Sequence, residues 1–568
     1  MRKRHTVWAA VIVVVVALAW DHATRARAAD VNGLPGTATL SGMVQAPKPF
    51  KAAQVHLMNV DKNVLFMVYT SGGRYRAVNL FPGRYEVTVR KPGFVAERQA
   101  IVLRADGTET LNFSLREGVA DPVQQGEFGF TVRSSGTDVT LVSYDELYPR
   151  EPGRALLEKQ CMYCHGKNFF PARQLPEVTW STFIDVMEGK GSERGAMIPP
   201  GTLSAADRAT ITAYLTKHFG PAATKRGLKV DADFPLDEAA LGKAMYVEYY
   251  LPLDARLDAA NKQRRTQEPH FDPDGNVWYT DRSVPNRIGR VDPRTGAIKD
   301  FVLPDPKADP HGLTVDSRGR VFWAETVGFH LGRLDPKTGA MTRYPMDSTG
   351  QSKGRGHTPV VDSRDNVWFT VIQGEMLGKW DAKTEKATVW KVPTQGAAPY
   401  GVTLDKDENV WFAEFRRCKI GKFDPRTEKF TEYEAPTQPC TIRRLGVDSK
   451  GMVWYGGFNN GKLGKIDPRT GKIVEYDIPM PFAEPYDVWP DRDDKIWISD
   501  GGQGGTLIRF DPQAETFTYF PTPQRTDQPK LAITRDGAVW YTPRSSSKAA
   551  AGVLYPDVGK MTTPAAYY

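Results

Sequence analysis

Val367-Trp368-Phe369-Thr370, Val410-Trp411-Phe412-Ala413, Val453-Trp454-Tyr455-Gly456 and Ile496-Trp497-Ile498-Ser499 repeat one short apolar frame, and their tryptophans stand 43 residues apart. The spacing continues to Trp540. Trp278 opens the series, and Val321-Phe322-Trp323-Ala324 fills the copy between Trp278 and Trp368. A period near 43 residues is that of a four-stranded propeller blade. Each unit reads as an inner strand, a turn rich in Asp, Gly and Arg, the Trp strand, a strand such as Arg287 to Pro293, and an outer strand ending near a proline. Seven copies predict a seven-bladed β-propeller over residues 240–568. The last copy runs out after Val553-Leu554-Tyr555, and Met245 to Pro252 has the pattern of its missing outer strand. Pairing the two would close the ring and remove two open sheet edges. The tryptophans themselves read as packing between blades.

The chain is too long for this ring alone. Its 568 residues suggest roughly three to five domains. With 40% hydrophobic and 11% aromatic residues, wholly disordered and collagen-like classes are excluded, and four cysteines exclude a disulfide-dense one. Lys plus Arg number 75 against 67 Asp plus Glu, interspersed to a net charge of +8, so no nucleic-acid footprint is visible.

Arg2, Lys3 and Arg4 precede an apolar run from Val7 to Ala19, followed by Ala26-Arg27-Ala28. This is the layout of a cleaved signal peptide over residues 1–28. The apolar run falls short of the roughly twenty residues needed to span a bilayer. The expected mature chain is exported, periplasmic and without a transmembrane span. Residues 34–118 then show short alternating runs, such as Tyr85, Val87 and Val89, punctuated by Gly72, Gly73, Pro82, Gly83, Pro92 and Gly93. That pattern predicts a small β-sandwich, and residues 119–150 read as a linker.

Between 151 and 220 the periodicity becomes helical: Gly153 to Gln160, Trp180 to Met187, and Asp207 to Lys217, the last opened by Ser204 with Asp207 as a capping box. These helices surround Cys161-Met162-Tyr163-Cys164-His165. In C-x-x-C-H, two thiols add to the vinyl groups of a haem and the next histidine ligates iron. Residue frequencies give on the order of 4 × 10⁻⁴ chance occurrences in a chain of this composition. A redox cysteine pair or half a zinc site are the alternatives, but no second pair lies nearby. One covalent haem c is expected on Cys161, Cys164 and His165.

Three resemblances follow. Gly73-Arg74-Tyr75 through Gly83-Arg84-Tyr85 resembles the carboxypeptidase regulatory-like β-sandwich, which implies a structural or docking role. Residues 151–220 resemble a class I cytochrome c, an all-α fold that implies a methionine as sixth iron ligand before the last helix. Met197 sits there, with Met187 as competitor. The DPRT and DPKT turns and the VWFT and VWFAE strands resemble virginiamycin B lyase and its streptogramin-lyase relatives. The fold class is thus multidomain and mainly β, comprising a β-sandwich, an all-α cytochrome c domain and a seven-bladed propeller.

If each inner hairpin turns symmetrically, the start of the first strand faces the end of the second at one mouth of the axial channel. His311 with Glu325, Tyr400 with Glu414, Tyr486 with Asp500, and the shorter His270 with Asp281 are such pairs, while His357 and Arg443 lack acidic mates. This rim suits a hard divalent ion beside a general base. The lyase resemblance implies His311 as base and Glu325 as ligand of a Mg2+ ion, in an elimination that consumes no water. Cys418 and Cys440 flank the same mouth, and either pair as a disulfide or remain two thiols.

Three functions stay open. In the first, an exported cytochrome transfers single electrons while the propeller binds or oxidises a small molecule, with a redox protein as partner. In the second, the propeller is a metal-dependent carbon-oxygen lyase and the cytochrome an accessory. In the third, a noncatalytic propeller positions the cytochrome.

Overall fold

The computed structural model describes residues 34–118 and 140–560, apart from 168, 172, 192–195, 199–200, 225, 229–235, 254–263, 353, 502–504, 525–529 and 544–549. The expected signal peptide and most of the expected linker lie outside the described residues.

The N-terminal unit is a β-sandwich. Ala38–Gln45 pairs antiparallel with Arg74–Leu80 and parallel with Thr108–Thr110. The facing sheet runs Val64–Tyr69, Gln54–Asn59, Gly83–Arg90, Gln99–Leu103. Alternation in Gly83–Arg90 turns Tyr85, Val87 and Val89 into a core shared with Leu40, Val55 and Leu57. Val64–Tyr69 breaks the alternation, since all six of its residues are buried. A strand buried on both faces and paired on both edges has no polar side.

Among the described residues between Tyr144 and Phe219, five helices follow: α1 (Tyr144–Leu147), α2 (Pro152–Gln160), α3 (Met162–His165), α4 (Glu177–Met187) and α5 (Ala205–Phe219). The Ser204 side chain accepts from the Asp207 N–H, and the Asp207 side chain accepts from the Ser204 N–H, closing the expected capping box. Gly153 lets α2 lie against α5, because a Cβ there would come within 2.4 Å of the Tyr214 Cβ. Leu157, Trp180, Ile184, Ile211, Leu215 and Phe219 form the core of this helical segment. Among the described residues no helix is long and apolar enough to cross a membrane.

The repeats fold as seven four-stranded units. Six are separate meander sheets, spanning 266–302, 310–345, 356–391, 399–434, 442–477 and 485–521. In five of them one carboxylate organises the innermost turn. Asp405 accepts from the Asn409 N–H at 2.9 Å and from Trp411 Nε1 at 2.9 Å. Asp272, Asp362, Asp448 and Asp491 receive Trp278, Trp368, Trp454 and Trp497 in the same way. The second unit carries Phe322 at the tryptophan position, and there Asp316 takes Arg320 Nε at 2.6 Å instead.

The seventh unit contains Leu531–Ile533, Val539–Tyr541 and Ala550–Tyr555, with Met245–Tyr250 as its outer strand, paired antiparallel from Met245↔Tyr555 to Tyr250↔Ala550. The other edge of Met245–Tyr250 pairs with Val64–Tyr69 of the sandwich. One eight-stranded sheet thus runs from the propeller axis to the far edge of the sandwich.

Candidate functional site

Cys161, Cys164 and His165 come together because α2 ends at Cys161 and α3 turns through the next four residues. Gly166 then takes φ 71°, and a Cβ at that position would lie 2.4 Å from Glu484 Oε2 of the propeller, so the residue after the motif has both a conformational and a packing reason to be glycine. The His165 ring stacks on Phe169 at 3.8 Å. Neither motif thiol is in a disulfide, and burial pushes the Cys161 thiol up to about 12.

These residues line a cavity of about 690 Å³ whose two walls come from different parts of the chain. On the helical wall stand Cys161, Cys164, His165, Met187, Met197 and apolar groups that include Phe170, Trp180 and Leu203. The opposite wall is the propeller mouth, with Arg282, His311, Arg355, His357, Tyr400 and Arg443. Direct bonds hold the walls together. Arg443 Nη2 donates to the Cys164 carbonyl at 2.6 Å, Tyr163 Oη donates to the Phe415 carbonyl at 3.1 Å, and Gln373 Nε2 donates to the Ala196 carbonyl at 2.7 Å. Arg416 donates to the Met197 carbonyl, and Arg355 contacts the Met197 sulfur. Glu484 accepts from the Lys167 N–H at 3.1 Å.

Cys418 and Cys440 form a disulfide, Cα to Cα 5.2 Å, between the loops of the fourth and fifth units. Those loops carry Phe415, Arg416, Thr441 and Arg443, the residues that meet the cysteine motif. Tyr163 and Cys164 pack against the apolar cluster that contains the disulfide.

Of the inner-strand residues expected at the mouth, His311, His357, Tyr400 and Arg443 do meet there, whereas His270 pairs with Trp278 toward the other end of its strand and does not line the cavity. His311 and His357 have ring centroids 3.9 Å apart, His357 and Tyr400 are 3.6 Å apart, and Arg443 Nη1 donates to Tyr400 Oη at 2.9 Å. Gly312 makes this convergence possible, since a Cβ there would fall 2.2 Å from the His357 carbonyl oxygen.

Their expected acidic mates are elsewhere. The strand register pairs Pro310, not His311, with Glu325, and a bulge follows before Leu313. A one-residue shift sends the side chain to the other face. Glu325 is 1% exposed and accepts from Arg343 Nη2 at 2.7 Å and Nε at 3.1 Å, and from Trp323 Nε1 at 3.3 Å. The expected His311 and Glu325 pair, with a divalent ion on Glu325, therefore does not match the geometry. The same shift pairs Pro399 with Glu414 and Pro485 with Asp500, while Asp281 pairs with Thr266. Among the described residues no three His, Cys, Asp or Glu side chains converge as a metal cluster.

Beneath the mouth lies a charged layer that sequence reading missed. Glu268 accepts from Arg444 Nη1 at 2.7 Å and from Lys530 Nζ at 2.6 Å. Lys530 is fully buried, which lowers its ammonium to about 8 against the opposing pull of Glu268. Lys530 Nζ also lies 3.1 Å from His311 Nδ1. An ammonium only donates, so Nδ1 accepts and the ring proton sits on Nε2. His311 then offers the cavity an N–H instead of a basic lone pair, and burial holds its imidazole well below the usual range. The signal for Lys530 was present in the sequence: Pro529-Lys530 repeats the Pro-x frame of Pro310-His311, Pro399-Tyr400 and Pro485-Tyr486.

Residues 256–510 match the virginiamycin B lyase family, and residues 39–116 match the carboxypeptidase regulatory-like domain. Among solved structures, a streptogramin B lyase is 26% identical, with a TM-score of 0.48 over 55% of this chain and 97% of that one. A virginiamycin B lyase from Staphylococcus aureus is 22% identical, with a TM-score of 0.47 over 52% of this chain and 97% of that one. No curated protein matches the chain. The chain carries a virginiamycin B lyase-like propeller joined to a carboxypeptidase regulatory-like domain.

Proposed function

We propose that this protein is an exported, periplasmic c-type cytochrome that passes single electrons to a redox partner protein, with its haem enclosed between the helical segment and the propeller mouth. The observation that carries this is the convergence of Cys161, Cys164, His165 and Met197 on one cavity. The residues present fit such a group: two sulfurs and an imidazole in C-x-x-C-H spacing, thioethers at Met197 and Met187, and an apolar wall of aromatic and aliphatic side chains. Cys161 and Cys164 would tether the porphyrin, and His165 with Met197 would face its iron. Met197 sulfur now rests on Arg355 and would turn to do so. When bound, a haem supplies one-electron exchange at iron, and a methionine ligand favours the ferrous form.

The chain's own contribution is orientation and exclusion of water. Phe169 holds the His165 ring by stacking, and the disulfide-linked loops hold Cys164 through Arg443. Elimination chemistry is the weaker reading, because Arg343 engages the carboxylate expected to bind metal and Lys530 engages Nδ1 of the histidine expected to act as base.

Purified protein should show a Soret band that stays with the polypeptide in acidified organic solvent, and Cys161→Ala with Cys164→Ala should remove it. Absence of the band in the wild type, or extraction of all colour, would sink the reading.

A further inference from the structure

The cavity is one-signed. Arg282, Arg355, Arg416, Arg417 and Arg443 line it from the propeller and Lys159 from the helical side, and among the described residues no aspartate or glutamate does. Arg282 is committed to Asp309 behind the wall, by bonds of 2.7 and 2.6 Å. His311 adds a donor through Nε2, and His357 turns in an Nε2 that has no hydrogen-bond partner, at a residue exposure of 2%. Guanidinium groups facing a space shielded from water are stabilised by an anion, and carboxylates match their paired N–H groups. The opposite wall is aromatic and aliphatic. An occupant that satisfies both walls has a broad apolar body of several hundred Å³ and carboxylates on one edge.

We infer that the propeller mouth is the carboxylate-binding half of the haem pocket, with Arg355 and Arg416 pairing the two propionates of the tethered porphyrin. This rests on the cytochrome reading above and goes beyond it. The propeller rim then serves as the electrostatic wall of a cofactor site, not as an open binding site for a separate small molecule. The arginines act as positioning residues, and they hold the propionates ionised and thereby set how the reduction potential responds to pH.

The test is the midpoint potential of the holoprotein against pH, between about pH 5 and pH 8, for wild type, Arg355→Gln, Arg416→Gln and the double variant, with Arg355→Lys as the charge-retaining control. Groups around the pocket are accounted for as follows. Burial holds His311 and His357 well below this window, and Tyr163 is pushed up to about 12, above it. Glu484 and Glu414, both raised by burial, Asp487, raised by burial to about 6, and Lys530, lowered by burial to about 8, sit behind the walls and contribute alike to every protein compared.

The glutamine variants should gain a falling slope absent from wild type, approaching a tenfold change in the redox equilibrium per pH unit, which is about 59 mV for one electron. Arg355→Lys should restore the wild-type profile. Added acetate should leave the wild-type spectrum and potential unchanged, because haem carboxylates already occupy the arginines. Superimposable profiles with the Soret band intact would overturn the inference alone, as would a saturable acetate response in wild type, which would assign the site to a free carboxylate. Loss of the Soret band in wild type would instead overturn the cytochrome reading. If a variant does not fold, infrared spectra of wild type carrying propionate-labelled haem decide the matter: a labelled protonated-carboxyl stretch within the window overturns the pairing, and its absence supports it.

Discussion

Glu414 shows how a repeat can place a carboxyl where it is costly. Its side chain is buried, and burial followed by the neighbouring Glu432 charge raises its pKa to about 8. The folded value lies above that of an unfolded glutamate. Its stabilising contribution is therefore complete below about pH 4.3 and is lost as pH rises through about 8. Glu414→Gln should match the wild type near pH 4.5 and exceed it by about 2 kcal/mol or more at pH 8, read from urea unfolding at both values. Equal stability differences at the two pH values would contradict the assignment. Glu414 was legible as an inner-hairpin residue, but its partner was not. A symmetric hairpin would pair it with Tyr400, whereas the bulge at the start of each inner strand pairs it with Pro399. That shift comes from crowding at the axis, where backbones approach too closely for a side chain at Gly312 or Gly401.

At the scale of the element, the turn carboxylate that receives the tryptophan explains why Trp and Asp recur six residues apart, a spacing present in the sequence but not recognised there as a bond. The seventh unit departs from it. Thr534 accepts from the Ala538 N–H at 2.9 Å, as the aspartates do at this turn, but Trp540 Nε1 is left without a partner. Thr534→Asp should supply the acceptor and add about 1 kcal/mol of stability, measured by denaturant midpoint; a loss of stability would show that the turn cannot hold the longer side chain. The Cys418 to Cys440 bridge closes a loop of 22 residues. Replacing both cysteines by serine should cost roughly 3 kcal/mol. It should also loosen the Phe415 to Arg443 loops against Tyr163, seen as faster amide exchange in α3 than in α5. Equal exchange in the two helices would separate the bridge from the cavity.

For the whole molecule, the decisive contact is the one between Met245–Tyr250 and Val64–Tyr69, which turns sandwich and propeller into one continuous sheet. Deleting residues 34–118 would uncover the edge of a six-residue strand whose residues are all buried, and unprotected edges pair with other chains. The truncated protein should elute as oligomers at micromolar concentration, while Tyr246→Lys in the same background should shift it toward monomer; a monodisperse truncated chain would show that the edge is protected in another way. The unbroken apolar run Val64-Leu65-Phe66-Met67-Val68-Tyr69 is visible in the sequence, but it carries no label for its partner. What the sequence alone determined is whatever is written in local period and spacing: the 43-residue blade, the closing strand at Met245, the capping box at Ser204 and the C-x-x-C-H motif. What only the tertiary structure decided is which loops share a space. The cysteine motif faces the propeller mouth, Glu325 belongs to Arg343, and Lys530 reaches His311 across 219 residues. The reason is physical: spacing along a strand or helix is set by backbone geometry, whereas contacts between distant segments depend on register shifts of one residue and on the burial of whole faces.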